Sequence, residues 1–239
     1  MKSTIRQPIW IGVSLLMPIL LITLYAPLLQ GMMGDGEQTM ADVLRMFVPG
    51  LLTLTAFSAG MSSGWETIYE LKDGVIERFR VTSVRRFSLL FGAVLHDITM
   101  FLVPAGILLL VALPFGFTIH LGGLLVLLAL LALLITVLTA WSCAMALILK
   151  EPGGFSALMS GIQMPLMLLA GVLLPLSQGP RWLEIMGHFN PLYYTVEASR
   201  DLANGVILTN SVYIAFAVLV PLALLSLMWS TRVHKRAIK

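Results

Sequence analysis

Six long apolar runs dominate this chain of 239 residues and limit what it can fold into. A helix needs about 20 mostly apolar residues to cross the hydrocarbon core of a bilayer. The runs that meet or approach this length are residues 9–29, 46–65, 98–119, 121–149, 155–176 and 212–229. They are continuous rather than alternating, which favours helices over the strands of a membrane barrel. The pattern therefore predicts an all-α membrane protein, one domain over residues 1–239 with six transmembrane helices.

The composition agrees with a membrane location. Hydrophobic residues make up 58% of the chain and charged residues only 11%, whereas soluble domains average about 25% charged residues. So few polar residues cannot cover a water-soluble globule, which excludes most soluble enzymes, disordered proteins and free nucleic-acid-binding proteins. The first run follows Lys2 and Arg6, as in a signal peptide, but it exceeds the roughly 7–15 apolar residues of such a peptide. We expect it to be retained as a span.

The positions of the basic residues predict the orientation. With the N-terminus in the cytoplasm, twelve of the fifteen Lys and Arg residues fall on the cytoplasmic side. The three on the other side are Arg45, Arg181 and Arg200. Cytoplasmic loops of membrane proteins carry such an excess of positive charge. With six spans, both termini are expected to be cytoplasmic.

The segment at 66–86, between the second and third runs, carries four Arg, one Lys and four carboxylates, with apolar residues at helical spacing. This pattern predicts an amphipathic cytoplasmic segment, and two interpretations remain open. It could lie on anionic lipid headgroups, or it could dock a cytoplasmic subunit. The mixed charge slightly favours docking, because carboxylates are repelled by anionic lipid.

The segment at 177–205, between the fifth and sixth runs, contains Pro180 and Pro191 and predicts two short helices, residues 181–189 and 192–203. Glu197 and Arg200 are i,i+3 neighbours, which we interpret as an ordinary surface pair. Two helices too short to span, each preceded by a proline, predict a re-entrant hairpin on the outer face. It would be either a gate or a lid packed on the bundle.

Residues 60–64 (GMSSG) fit the G-x-S-x-G pattern of serine hydrolases. An intramembrane protease would use Ser62 or Ser63 with His96 or His188. The same residues also give small-xxx-small spacing, which allows close helix packing, and we favour that interpretation because no strand precedes the motif.

Asp97 is the carboxylate nearest to an apolar run. An ionisable group deep in a membrane is a functional candidate. Because it precedes the run that begins at 98, we expect it at the cytoplasmic rim beside His96, within reach of water. His120 and His234 are isolated, so the sequence predicts no metal site.

Several groups of residues together resemble the type-2 ABC exporter permeases, especially their drug-resistance (daunorubicin-type) branch. They are residues 47–50 (FVPG), 59–64 (AGMSSG), 74–82 (GVIERFRVT), 171–176 (GVLLPL), 180–183 (PRWL), 190–193 (NPLY) and 197–200 (EASR).

The resemblance implies the membrane permease subunit of an ATP-driven exporter that moves lipophilic or amphipathic compounds, as in drug or antibiotic efflux. It implies a bacterial or archaeal cytoplasmic membrane, a second permease copy or related permease, and two copies of a separate ABC ATPase. Other expected partners are membrane lipids and the lipophilic substrate, with no nucleic acid. No cofactor is expected on this chain. ATP and Mg would bind the partner, since the sequence has no G-x-x-x-x-G-K-[ST] loop.

The resemblance also assigns residues to two sites. Coupling to the ATPase is assigned to Glu70, Gly74, Glu77, Arg78, Arg80 and Thr82. The outer gate hairpin is assigned Pro175, Pro180, Trp182, Asn190, Pro191, Tyr193, Glu197 and Arg200. No catalytic residue and no metal ligand is assigned. The alternatives are export of a lipid or lipid-linked glycan and, from another class, an intramembrane serine protease.

Overall fold

The computed structural model describes residues 20, 40–73, 86–118, 120–172, 176 and 180–237. Its helices, in chain order, are α1 (Met40–Lys72), α2 (Arg86–Ala112), a short 3-10 turn (Leu113–Phe115), α3 (Leu121–Leu149), α4 (Pro152–Leu168), α5 (Arg181–Gly187), α6 (Pro191–Ala203) and α7 (Asn210–Ala237). No strand occurs within these ranges, so the described part of the chain has the all-α architecture expected. The predicted first span, residues 9–29, lies outside the described residues apart from Leu20.

Four of the described helices, α1, α2, α3 and α7, are long and apolar enough to cross a membrane. They correspond to the predicted runs at 46–65, 98–119, 121–149 and 212–229. The predicted span at 155–176 corresponds to α4, which has 17 residues and ends at Leu168. Helices α5 and α6 have 7 and 13 residues, short of the about 20 that a span requires.

Two helix boundaries differ from the expectation. Helix α1 continues through Lys72, so residues 66–72 are its last turns and not the start of a separate segment. The chain meets no Gly or Pro between Gly64 and Gly74, so nothing in its local chemistry ends the helix sooner. The apolar run predicted from 98 belongs to a longer helix, α2, which begins at Arg86. Helix α3 has the predicted bounds.

The close approach of α1 to α3 depends on two glycines of α1. A Cβ on Gly60 would lie 2.7 Å from the Cβ of Leu138 and 3.1 Å from the carbonyl oxygen of Ile135. A Cβ on Gly64 would collide with the ring of Phe155 and lie 3.0 Å from the Cβ of Ser142. The small-xxx-small interpretation of residues 60–64 is therefore confirmed, since only a residue without a side chain fits at either position.

Helices α1 and α3 form the centre of the bundle, and α2 and α7 lie at its periphery. In the most apolar stretch of α1, 67% of residues are buried, against 22% in both α2 and α7. The unburied residues of α2 and α7 are largely apolar, with Leu110 and Leu225 among the most exposed. Such surfaces are stable where lipid covers them. The bundle thus places a packed α1–α3 pair behind helices that face the membrane.

Candidate functional site

An apolar cavity of about 370 Å³ lies among five helices, α1, α3, α4, α6 and α7. Its lining residues are Met61, Val137, Leu138, Trp141, Ile162, Leu166, Pro191, Leu222, Leu225, Ser226 and Trp229. The Ser226 hydroxyl donates to the carbonyl oxygen of Ala223 on its own helix at 3.0 Å. The indoles of Trp141 and Trp229 present flat apolar faces with one N–H each. Such a cavity suits a largely hydrocarbon or aromatic ligand.

The cavity meets the first residue of α6, and Asn190 fixes that end in place. Asn190 is 3% exposed, and its Nδ2 donates to the carbonyl oxygen of Leu166 on α4 at 2.7 Å. Its Oδ1 accepts from the backbone N–H of Leu192 at 3.0 Å, which caps α6. Pro191 follows at the first helical position, where its fixed φ is suited to a helix start. Because Leu166 and Pro191 both line the cavity, Asn190 joins two of its walls.

Arg200 attaches the last turn of α6 to two other parts of the bundle. Its Nη2 donates to the carbonyl oxygen of Gly171 at 2.6 Å, and its Nε donates to that of Met46 on α1 at 3.4 Å. Nη1 pairs with Glu197 Oε1 at 2.9 Å. Arg200 is only 8% exposed, so the expectation of an ordinary surface pair is wrong. Burial lowers the pKa of Arg200, and the charge of Glu197 opposes that shift.

A hydroxyl contact and a group of rings complete the attachment of α6. The hydroxyls of Thr53 on α1 and Ser199 on α6 are 3.2 Å apart. The ring of Tyr193 lies 5.1 Å from that of His188 and 5.5 Å from that of Tyr194, and Tyr194 donates to the His188 carbonyl oxygen at 2.9 Å. Burial, and then the charge of Glu197, raise the pKa of Tyr193. Helix α6 is therefore held along its whole length.

The predicted gate residues divide into three groups. Asn190, Pro191, Tyr193, Glu197 and Arg200 come together on α6 or at its start. Pro180 precedes α5, and Trp182 on α5 is 62% exposed. Pro175 lies outside the described residues.

Of the predicted coupling residues, Glu70 is exposed in the last turns of α1. The remaining five, Gly74, Glu77, Arg78, Arg80 and Thr82, lie outside the described residues. The structure does give both flanks of their segment, because α1 ends at Lys72 and α2 begins at Arg86.

Asp97 is buried, which corrects the expectation that water reaches it. It is 1% exposed because α2 begins three turns before it and carries it into contact with α1 and α3. Its Oδ2 accepts from Ser63 Oγ on α1 and from Thr139 Oγ1 on α3, both at 2.6 Å. The available signal was a charged residue on one helix and small hydroxyl residues on two neighbouring helices. The sequence alone does not show that these side chains meet.

The serine-protease interpretation finds no support in this geometry. A nucleophilic serine needs an imidazole at its hydroxyl to remove the proton. Ser63 donates to the carboxylate of Asp97, and His96 Nδ1 lies beyond it, 3.5 Å from Asp97 Oδ1. Ser62 donates to the carbonyl oxygen of Ala59. Within the described ranges, no three His, Cys, Asp or Glu side chains are grouped to hold a metal.

Comparison with known sequences identifies the family. The sequence profile described as ABC-2 type transporter matches residues 1–203. The chain belongs to the ABC-2 type transporter family. The resemblance seen in its sequence is thereby confirmed, and the long apolar helices are those of a membrane-embedded transport permease.

This ABC-2 chain is similar to three known proteins. It is 31% identical over 204 residues to the transport permease ycf38 of Cyanophora paradoxa, covering 82% of this chain and 69% of that one. It is 23% identical over 192 residues to the daunorubicin resistance ABC transporter permease protein DrrB1 of Streptomyces coeruleorubidus, covering 80% and 67%. It is 27% identical over 192 residues to the ABC transporter G family member 20 of Dictyostelium discoideum, covering 77% and 25%.

Proposed function

We propose that this permease is the membrane subunit of an ATP-driven exporter of lipophilic or amphipathic compounds. The observation that carries the proposal is the apolar cavity among α1, α3, α4, α6 and α7. An apolar lining with two indoles fits a hydrophobic compound and offers little to a highly polar one. The similarity to a daunorubicin resistance permease points to the same class of cargo.

In this proposal a separate ABC ATPase, in two copies, binds ATP and Mg and docks on residues 74–85 of each of two permease chains. That segment connects the end of α1 to the start of α2, so a force on it acts on both helices at once. The termini would lie in the cytoplasm of a bacterial or archaeal cell, and the α5–α6 segment on the outer side. Small rigid-body movements of packed helices are the usual means of opening such a path.

The α6 helix would act as the outer gate. Pro191 forms one end of the cavity, and Asn190 and Arg200 hold α6 to α4, to Gly171 and to α1. Release of these attachments would let the cavity open outward. A lid that only packs on the bundle would keep them in every state.

Substitutions at two neighbouring leucines test whether the cavity lies on the transport path. Leu225 lines it and is 63% exposed, whereas Leu224 is 58% exposed and does not line it. In vesicles containing the permease and its ATPase, L225W should reduce transport of a fluorescent lipophilic compound at least fivefold, because an indole occupies the site. L224W should transport normally. Equal transport by both variants would exclude the cavity from the path.

Charge reversal in the proposed docking segment tests the ATPase partner. E77R or R78E should still insert in the membrane but uncouple ATP hydrolysis from export, so that hydrolysis continues without transport. Stimulation of the ATPase by lipid-linked sugars and not by lipophilic drugs would assign the glycan alternative instead. Transport by the wild-type permease with no ATPase present would overturn the proposal.

A further inference from the structure

The two carboxyl oxygens of Asp97 have different surroundings. Oδ2 accepts two hydrogen bonds at 2.6 Å, from Ser63 and Thr139. Oδ1 faces His96 Nδ1 at 3.5 Å, which is too long for a strong hydrogen bond. The Nδ1 atom is itself buried and has no hydrogen-bond partner. Two basic atoms therefore face each other inside the bundle, and a single proton would satisfy both.

The charges around the pair favour the form with one proton. Without that proton, the pair carries one buried negative charge; with two protons, it carries one positive charge. Burying an uncompensated charge is unfavourable, so groups of this kind tend to adopt the neutral form. Among the described residues, the only cationic group paired with Asp97 is His96. The one-proton form is neutral overall, whichever of the two atoms carries the proton.

The neighbouring titratable groups do not replace that proton. Glu66 on α1 adds a negative charge near Asp97, and the buried thiol of Cys143 on α3 also senses the charge of Asp97. In the described part of α7, no titratable group interacts with Asp97. The proton thus depends on Asp97 and His96 themselves.

We propose that Asp97 and His96 form a proton-binding site inside the membrane-spanning bundle, holding one shared proton between Oδ1 and Nδ1. The His96 side chain is 21% exposed, so the ring is not fully enclosed by the bundle, while its Nδ1 atom faces Asp97. The site does not depend on the identity of the exported compound.

Proton occupancy at this site also affects helix packing. Ser63 belongs to α1 and Thr139 to α3, so Asp97 joins α2 to both through its Oδ2. Hydrogen bonds to an ionised carboxylate are about twice as strong as those between neutral groups. A proton that moves onto Oδ1 therefore weakens the attachment of α2, and one that moves to His96 strengthens it.

Nitrogen-15 NMR of histidine-labelled permease in lipid nanodiscs tests the site, because the chain has only four histidines. H96Q identifies the His96 signal, which is then followed against pH. In D97N the proton affinity of His96 should fall at least about tenfold, the effect of losing an opposite charge nearby. The matched control E66Q removes an exposed carboxylate from α1 and should change that affinity less than threefold.

A second variant keeps the pair and alters only its support. S63A removes one hydroxyl donor from Oδ2, so Asp97 should be stabilised less as an anion and the pair should hold its proton more tightly. This shift is opposite in sign to that of D97N and does not require D97N to fold. An unchanged His96 titration in S63A, or equal changes in D97N and E66Q, would show that Asp97 only accepts hydrogen bonds and shares no proton.

Discussion

Arg200 on α6 donates from Nη2 to the carbonyl oxygen of Gly171 at 2.6 Å, across 29 residues of sequence. R200A removes this donor together with those to Glu197 and Met46, and it removes the side-chain donor from the carbonyl oxygen of Gly171. Hydrogen bonds to charged groups contribute about 1.5–3 kcal/mol each when buried. We expect R200A to lower the free energy of unfolding by about 3 kcal/mol.

The matched control for this change is R181A. Arg181 is exposed on the neighbouring α5, so its loss should have little effect on thermal unfolding in detergent micelles. If R200A and R181A unfold at the same temperature, Arg200 does not hold α6 in place.

Replacing glycine by alanine should have opposite effects on stability at Gly60 and at Gly106. G60A places a methyl group 2.7 Å from the Cβ of Leu138, which forces α1 and α3 apart and should destabilise by about 2 kcal/mol. G106A meets nothing within 4 Å and should stabilise by about 0.5–1 kcal/mol, because alanine favours helix over glycine. Unfolding of both variants in lipid-like micelles measures the difference. A stable G60A would mean that the glycine is not needed for helix packing.

Tyr193 should make the folding stability of the protein depend on pH in the alkaline range. Burial and the nearby carboxylates raise its pKa above the ordinary value of 10.0. The phenol of the unfolded chain has the ordinary pKa and ionises at lower pH than that of the folded chain. The stability that the neutral phenol contributes to the folded state is therefore complete below pH 10.0. This contribution is lost as pH rises through the higher pKa of the folded state.

Y193F should therefore flatten the fall in unfolding temperature as the pH rises above about 10. Y213F, which changes the exposed Tyr213 on α7, serves as the control and should leave the wild-type curve unchanged. Identical curves for wild type and Y193F would show that Tyr193 is solvated.

The sequence predicts α3 completely, because one Leu-rich run forms the whole helix and ends where Lys150 takes a left-handed conformation with φ of 56°. It places α5 and α6 within two residues because Pro180 and Pro191 mark their starts. The apolar run that predicts the third span begins at 98, after Asp97, whereas the helix that contains it begins at Arg86. Because that run starts after the last charge, the sequence predicts Asp97 within reach of water.

The partners of the two buried ionic groups could not be predicted from sequence. Asp97 bonds to side chains 34 and 42 residues away, and Arg200 bonds to backbone carbonyls 29 and 154 residues away. Local spacing shows only the i,i+3 contact with Glu197, which by itself resembles a surface pair. The apolar cavity is likewise formed by five separate helices, so no single segment of sequence contains its shape.

Two substitutions of Asn190 distinguish its role in capping α6 from its role in attaching α6 to α4. Asp is as good a helix cap as Asn, so N190D keeps the acceptor for the Leu192 N–H. It replaces the donor to Leu166 with an oxygen that repels the carbonyl. N190A removes both bonds. We expect N190A to destabilise by about 2 kcal/mol and N190D to detach α6 from α4 while the helix itself remains formed.

Hydrogen exchange of the α6 amides distinguishes these outcomes. N190D should increase exchange in the residues around Leu166 and Pro191 but not in the last turn of α6, where Arg200 still binds Gly171 and Met46. N204A removes the hydrogen bond that the Asn204 side-chain amide donates at the other end of the same helix. This variant should leave the cavity wall protected. Protection that is equal in N190D and wild type would mean that the Asn190–Leu166 bond does not close the cavity, and α6 would then be held by Arg200 and its other contacts.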